Sequence, residues 1–457
     1  MPTSPDRAAD VVVVGGGAVG ASIAYESARR GASVMVLDGG PHPATGCSYA
    51  NAGLLSPSHV EPLATPANVA AGLRFLFSPR SPFHVRPDPR LVPWLARFVR
   101  SAAPERVRRL TARMQQLATR SLALHAGYAA AGLETGYQQL GSLDVYSSPE
   151  RWERAATHVP AGAQLLDAAE ARRLEPAVGE VAGAVHHPED AQVDSRRFVR
   201  ALLEAAQRDG ARVRWGVAVT RLLRHGDRVT GVETPDGTFT AGHVVLAAGL
   251  GSAGLARGAG LRLPLRGAKG YVLDLDVAEG APRIPVTFKE RRVVATPYPD
   301  RLRLCGTLEL GSDSAPMHAG RVQAIRDAGL HGLPGLRPRR TVETWAGLRP
   351  STPDGVPALG RSARRPGLVV ATGHGMWGIV LAPITAEMVA RDILEGAPVL
   401  DEPAFTPDRF SGLRLPDLPI PSSEDDLPAV GLRQRLRQAD DGGSATAAPP
   451  RSTPGAR

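Results

Sequence analysis

Apolar positions in this chain follow two rhythms, short unbroken runs bounded by glycine and strict alternation with polar residues. The unbroken kind comes first: residues 11–14 are four valines leading into GGGAVG, then an Ala-rich stretch to Gly31, then a second apolar run over 34–37 that stops on Asp38. A short apolar run between turn signals reads as a strand buried on both faces. The segment therefore predicts strand, glycine turn, helix and strand. Gly15, Gly17 and Gly20 keep the spacing of a dinucleotide-binding turn. Gly15 permits the sharp turn, Gly17 leaves room for a pyrophosphate, Ala18 and Val19 open the helix whose N-terminus receives the phosphates, and Gly20 lets helix pack closely on strand. Asp38 stands 18 positions beyond Gly20, where a carboxylate accepts the hydroxyls of an adenosine ribose and repels a phosphorylated one. This pattern leaves NAD and FAD both open.

Past Ser56 the prolines multiply, and two helical segments run to about Gly132. Residues 140–146 alternate as a strand, 194–209 form a helix, and 213–233 carry two strands joined by a turn at Gly226. Residues 240–251, TAGHVVLAAGLG, read as a buried strand entering a glycine turn. Segments 265–276, 286–297 and 302–308 read as strands of a sheet with one exposed face. Residues 368–372 form a last buried strand, 373–378 a turn and 379–394 a helix. From 439 to 457 the chain is low-complexity and expected to be disordered.

Composition narrows the class. With 457 residues the chain exceeds one compact core, so two domains are expected. The formal net charge of +9 invites nucleic acid as a partner, but only Lys269 and Lys289 are lysines among 54 basic residues, and the arginines are dispersed. A solvated surface is the better reading, and no nucleic-acid partner is expected. No stretch reaches the roughly 20 apolar residues of a membrane span, so a cytoplasmic location is expected. One dense basic stretch, 97–113, holds Arg100, Arg106, Arg108 and Arg109 beside Trp94, Leu95, Phe98, Val99 and Leu110. Such a helix can lie on a membrane surface, which keeps peripheral contact with the inner face of the plasma membrane open. Cys47 and Cys305 have no metal-ligand neighbours in sequence and are expected to be reduced thiols, with no metal site.

Four further motifs carry a resemblance: GCSYANAGLLSP at 46–57, LAAG at 246–249, WAGLRPSTPDGVPALG at 345–360 and ATGHGMWGIVLAP at 371–383. In this order they resemble the FAD-dependent D-amino-acid oxidase superfamily, most closely its bacterial D-amino-acid dehydrogenase branch, with glycine oxidase and sarcosine oxidase as relatives. The resemblance spans about residues 10–410. It implies an α/β fold in which a discontinuous Rossmann-type FAD domain (1–75, 193–257 and 345–410) carries an α+β substrate domain (76–192 and 258–344) with a mostly antiparallel sheet, followed by an extended tail, 411–457. It also implies noncovalent FAD, since no cysteine stands in the last two motifs.

The same resemblance assigns residues. Ser48, Asn51 and Gly53 belong to a loop that could bond the pyrophosphate or flavin, although Asn51 could equally close an ordinary turn. Val219 falls in the segment bracketing the adenine, and Ala248 and Gly249 end a strand at the ligand-binding edge of the sheet. Gly373, His374, Gly375, Met376, Trp377, Gly378 and Ile379 resemble the turn beneath the isoalloxazine, with amides at a helix start. Arg349, in G-L-R-P, resembles the arginine that pairs with the substrate carboxylate through two parallel donors. Its alternative is a structural pairing with Asp354 or Glu343. Tyr271 and His59 resemble pocket positions, although both could equally be core or rim residues; His59 stands where relatives often carry tyrosine, and Lys289 is expected to point to solvent. The implied reaction moves a hydride from the α-carbon of an amino acid to flavin N5, and the imino acid formed hydrolyses to a 2-oxo acid and ammonia. Electrons pass to a quinone, another carrier or oxygen. Glycine, sarcosine or a proline derivative as substrate, and a flavin-carrying subunit without its own activity, stand as alternatives.

Overall fold

The computed structural model describes residues 7–43, 46–74, 83–85, 88–311, 317–400 and 402–412. The expected disordered segment 439–457 lies outside them. Two sheets dominate, and each follows from one of the two rhythms.

The first sheet has eight strands in the order Arg221–His225, Arg228–Thr234, Gly237–Leu246, Ala8–Val14, Val34–Asp38, Arg212–Trp215, with Leu368–Thr372 also paired to Gly237–Leu246 and Ala358–Arg361 outside it. Ala8–Val14 runs parallel to both its neighbours, as do Val34–Asp38 with Arg212–Trp215 and Gly237–Leu246 with Leu368–Thr372. Parallel strands need coverage on both faces, and the valine run supplies it. Val11 and Val13 pack with Ala21, Ile23, Phe198, Val199, Ile379 and Val380 of three helices, whereas Val12 and Val14 pack with Val244, Leu246, Ala256 and Leu261 on the other side. Helices Ala18–Ala28, Ser195–Arg208 and Gly378–Glu395 cover the first face. The stretch 213–233 holds parts of three strands rather than two, because Gly216 turns the chain (φ 71°) between Arg212–Trp215 and the hairpin.

The second sheet has nine strands, in the order Arg337–Ser351, Arg266–Glu279, Arg301–Leu310, Val293–Tyr298, Val286–Phe288, Ser142–Tyr146, Gly183–His187, Gln164–Asp167, with Phe83–Val85 added along Arg301–Leu310. It is antiparallel except where Ser142–Tyr146 meets Val286–Phe288 and Phe83–Val85 meets Arg301–Leu310. One face packs Leu143, Val145, Leu273, Leu275, Phe288 and Leu304 against helix Ala319–Gly332. The opposite face is not exposed as expected from its polar residues. Tyr49 and Ala50 of the loop after Asp38 lie on Val272, Cys305 and Trp345, and Thr296 Oγ1 donates to Ala52 O at 2.8 Å. Charged side chains on this face pair with one another, which lets them be buried. The basic helix candidate is likewise turned inward: Trp94, Phe98 and Leu110 are buried, leaving Val92 and Val99 as its exposed apolar residues.

Candidate active site

The C-terminal ends of the first sheet's parallel strands gather most of the sequence-predicted positions. Gly15 takes φ 101°, and a β-carbon there would meet Ala247 O at 2.7 Å. A β-carbon on Gly20 would lie 1.8 Å from Gly15 O, so helix and turn touch through bare backbone. Gly17 differs, because an added β-carbon would meet only Ser48 Oγ, at 3.3 Å. A side chain at Gly17 would thus crowd only the Ser48 hydroxyl and no backbone. Ser48 Oγ accepts from Ala18 N at 2.9 Å, covering the first helical amide that Gly17, without a side chain, cannot cap. Asp38 accepts Gly16 N at 2.6 Å and Gly40 N at 2.7 Å, one on each oxygen. Each oxygen keeps a second lone pair for a ribose hydroxyl. Val217 N bonds Asp38 O at 2.9 Å, bringing the segment with Val219 beside that carboxylate.

The second glycine turn lies across the same edge. Thr372 Oγ1 donates to Gly249 O at 3.0 Å, joining the last strand to the Ala248–Gly249 turn. Gly373 and Gly375 both have positive φ, and the helix from Gly378 again starts without a side-chain cap. Two helix starts whose own N-cap residues supply no side-chain acceptor, each floored by glycine at the ends of parallel strands, suit negative charge. These residues fit FAD: the first turn for its pyrophosphate, Asp38 for its ribose, the second turn for its ring. His374 is buried with Nε2 3.1 Å from Thr385 Oγ1, and burial lowers its pKa to about 4, so it is neutral at ordinary pH. Met376 packs toward Trp94 and Phe98. Trp377 Nε1 donates to Glu61 O at 2.7 Å, and Ile379 O meets His125 Nε2 at 3.1 Å. Asn51 takes the plainer of its two readings, its Oδ1 accepting Gly53 N at 2.9 Å. Gly53 itself, with φ 77°, fits closely under Tyr298 and Val193 O.

Arg349 reaches from Arg337–Ser351 across the second sheet. Its Nη1 donates to Thr307 O at 3.1 Å and its Nη2 lies 3.9 Å from Cys305 Sγ. It crosses Gly270, where a β-carbon would lie 2.2 Å from Nη2. The structural alternative for Arg349 fails on its partners. Asp354 is held by Arg409 at 2.8 and 3.1 Å, and Glu343 by Arg196 at 2.6 Å and Tyr49 at 2.9 Å. Among the described residues no carboxylate pairs with Arg349. The bridge Ser351–His374 sets its strand against the second glycine turn.

Of its two readings Tyr271 takes the core one, and the expectation for Lys289 needs correction. Tyr271 does not share the Arg349 face. It is buried among Leu273, Ile325 and Ala346 on the helix side, and its hydroxyl donates to Glu309 at 3.0 Å. Lys289 does not point to solvent, since its Nζ donates to Asp144 Oδ2 at 2.9 Å. The same oxygen accepts His59 Nε2 at 2.8 Å, and His187 Nε2 lies 3.5 Å away. Burial opposes the charge of Asp144, but His59, His187 and Lys289 together hold its carboxyl well below the ordinary value. Burial likewise opposes the Lys289 charge, and Asp144, Tyr146 and Glu61 together more than offset it, raising its pKa. The sequence reading missed Asp144 and His187. Asp144 shows only as a polar position between buried Leu143 and Val145. Cys47 and Cys305 are free, and burial pushes the Cys47 thiol up to about 11.

A dinucleotide-binding sheet joined to an antiparallel sheet, with two glycine turns that fit FAD, is the architecture of a flavin-dependent redox enzyme. The chain belongs to the FAD dependent oxidoreductases of the D-amino-acid oxidase type, whose family profile matches residues 10–391. It is 36% identical over 404 residues to a D-amino acid dehydrogenase of Paramagnetospirillum magneticum, covering 85% of this chain and 95% of that one. It is 34% identical over 416 residues to a D-amino acid dehydrogenase of Cereibacter sphaeroides, covering 88% and 95%. Among solved structures, glycine oxidase from Geobacillus kaustophilus superposes with a TM-score of 0.68 at 28% identity, over 89% of this chain and 99% of that one. L-proline dehydrogenase from P. horikoshii shares the fold, with a TM-score of 0.66 at 21% identity over 88% and 98%. FAD is the cofactor. No helix among the described residues is long and apolar enough to cross a membrane.

Proposed function

We propose that this enzyme oxidises D-amino acids to 2-oxo acids and ammonia, with Arg349 holding the substrate carboxylate. The observation that carries this reading is the guanidinium without a carboxylate partner, bonded to Thr307 O and crossing Gly270. A carboxylate guest would supply the missing charge and use two parallel donors. When bound, FAD supplies the acceptor for the hydride. The chain supplies orientation: Arg349 fixes one end of the substrate, so a single enantiomer turns its α-hydrogen toward the second glycine turn. The two dehydrogenase relatives support the D-amino acid assignment and an electron acceptor, which we take to be a quinone. Exposed Val92 and Val99, with Arg100 beside them, suit a shallow contact with a membrane that carries such a quinone.

The test is anaerobic titration of the purified yellow protein with D- and L-amino acids, glycine, sarcosine and proline derivatives. Bleaching by D-amino acids is expected, with slow recovery in air and fast recovery with a quinone. Bleaching by L-enantiomers alone, or only by glycine or sarcosine, would overturn the D-amino acid assignment.

A further inference from the structure

Alternation places a second polar centre on the same face of the antiparallel sheet as Arg349. Leu143 and Val145 point into the core beneath helix Ala319–Gly332, so Asp144 between them points the other way. Leu304 belongs to the same core, and its neighbour Cys305, which Arg349 approaches, lies on the Asp144 side. From the strand of Cys305 to that of Asp144 the sheet order gives three interstrand steps, about 14 Å at the usual spacing. His59 and Lys289 lie between solvent and Asp144, with side chains 21% and 33% exposed against 4% for the carboxylate. Trp377 of the second glycine turn holds this segment through Glu61 O. The two centres therefore share one face of the antiparallel sheet, three strands apart.

The hydrogen bonds of the second centre are incomplete. His59 donates from Nε2 to Asp144, which leaves Nδ1 as an acceptor with no partner among the described residues. Asp144 Oδ1 and His187 Nε2 are buried without hydrogen bonds, a state that native structures rarely leave unfilled. Lys289 spends one of its three donors on Asp144. Donor atoms of His59, Asp144 and His187 lie within 4.8 Å of one another, a spacing that could hold a metal ion. However, the Lys289 ammonium already sits on the shared oxygen at 2.9 Å and would repel a second cation there.

We propose that His59 and Lys289, set by Asp144 and His187, are specificity residues that select substrates with a neutral side-chain hydroxyl. A hydroxyl can accept from Lys289 and donate to His59 Nδ1 at once. Asp144 and Glu61 stand beside Lys289 and Arg292, so the charges there already balance and a charged side chain would enter uncompensated. A purely apolar side chain would leave Lys289 and His59 unsatisfied, which is the larger source of discrimination in such sites.

This inference rests on the D-amino acid reading, and one experiment separates the two. Steady-state kcat/KM is measured for D-homoserine against D-2-aminobutyrate, 4-hydroxy-D-proline against D-proline, and D-aspartate as the charged analogue. At least a tenfold preference for the hydroxylated member of one pair, and the poorest rate with D-aspartate, is expected. In Lys289→Met that ratio should fall toward one. The double variant Asp144→Asn/Lys289→Met removes both charges together and should behave alike, with bound flavin absorbance reporting its fold. Equal rates within both pairs, or a preference that survives in both variants, would overturn the hydroxyl assignment while leaving the D-amino acid reading intact. Stoichiometric zinc retained after dialysis against zinc and lost in His187→Ala would also overturn it, in favour of a metal site. Failure of every amino acid to bleach the flavin would instead overturn the parent reading, and this inference with it.

Discussion

Arg303 and Asp274 form a two-point ion pair, Nε to Oδ1 and Nη2 to Oδ2 at 2.8 Å each, with both residues almost wholly buried. Arg303 also donates from Nη1 to Asn51 O at 2.8 Å. Burial opposes the Asp274 charge, and Arg303 first, then Arg301 and Arg196, hold its carboxyl below the ordinary value. The pair thus fastens the loop that follows the nucleotide unit onto the antiparallel sheet. It links the two halves of the site.

Asp274→Asn should strand the Arg303 charge, because Arg301 and Arg196 retain Asp194 and Glu343 as partners. Breaking one side of a buried pair costs about 3–5 kcal/mol. A lower denaturation midpoint together with reduced FAD retention is expected, since the Asn51 loop loses its anchor. Denaturation monitored by flavin fluorescence checks both. An unchanged midpoint would mean the pair contributes no net stability.

The glycines of the first turn should separate by role. In Gly17→Val the β-carbon meets only the Ser48 hydroxyl, at 3.3 Å, and no backbone, so the protein should fold yet fail to hold FAD. In Gly20→Val the side chain meets Gly15 O, and folding itself should suffer. Circular dichroism and flavin absorbance of the two purified proteins distinguish them. Stoichiometric FAD in Gly17→Val would contradict the pyrophosphate placement.

Two buried histidines set an acid limit. Burial lowers both His125 and His374 to about 4 from an ordinary 6.5. Between those values the unfolded chain binds protons that the folded one refuses, so stability rises with pH across this window and is lost as pH falls through it. The shift corresponds to about 3 kcal/mol for each residue at neutral pH relative to pH 4. Unfolding midpoints measured from pH 7 to pH 4.5 should fall, and His374→Gln should flatten the slope. An equal slope in the variant would show that His374 is not what titrates.

The first sheet was legible because burial on both faces leaves unbroken valine and leucine runs, and because glycine positions around Gly15 and Gly373 are dictated by backbone geometry. The covered face of the second sheet was not. Asp274 and Asp144 look like solvent positions in their own strands, and their partners lie far away in sequence: Arg303 is 29 residues from Asp274, and Lys289 is 145 from Asp144. Tyr271 stayed open between pocket and core for a local reason. The register shifts between Lys269 and Tyr271, and a bulge decides which face a side chain takes without marking the sequence. That Arg349 has no carboxylate partner among the described residues became visible only once Asp354 and Glu343 were seen paired elsewhere.

The most direct test is kcat/KM of Arg349→Ala, with FAD content confirmed, for a D-amino acid and for the corresponding amine lacking the carboxylate. Loss of the clamp in a partly desolvated site should cost about 3–5 kcal/mol, or roughly two to four decades for the amino acid. Arg349→Lys should recover part of this, since an ammonium restores charge but not two parallel hydrogen bonds. The amine should be nearly indifferent to either change. An Arg349→Ala enzyme that oxidises the D-amino acid as efficiently as the parent would show that the carboxylate is held elsewhere.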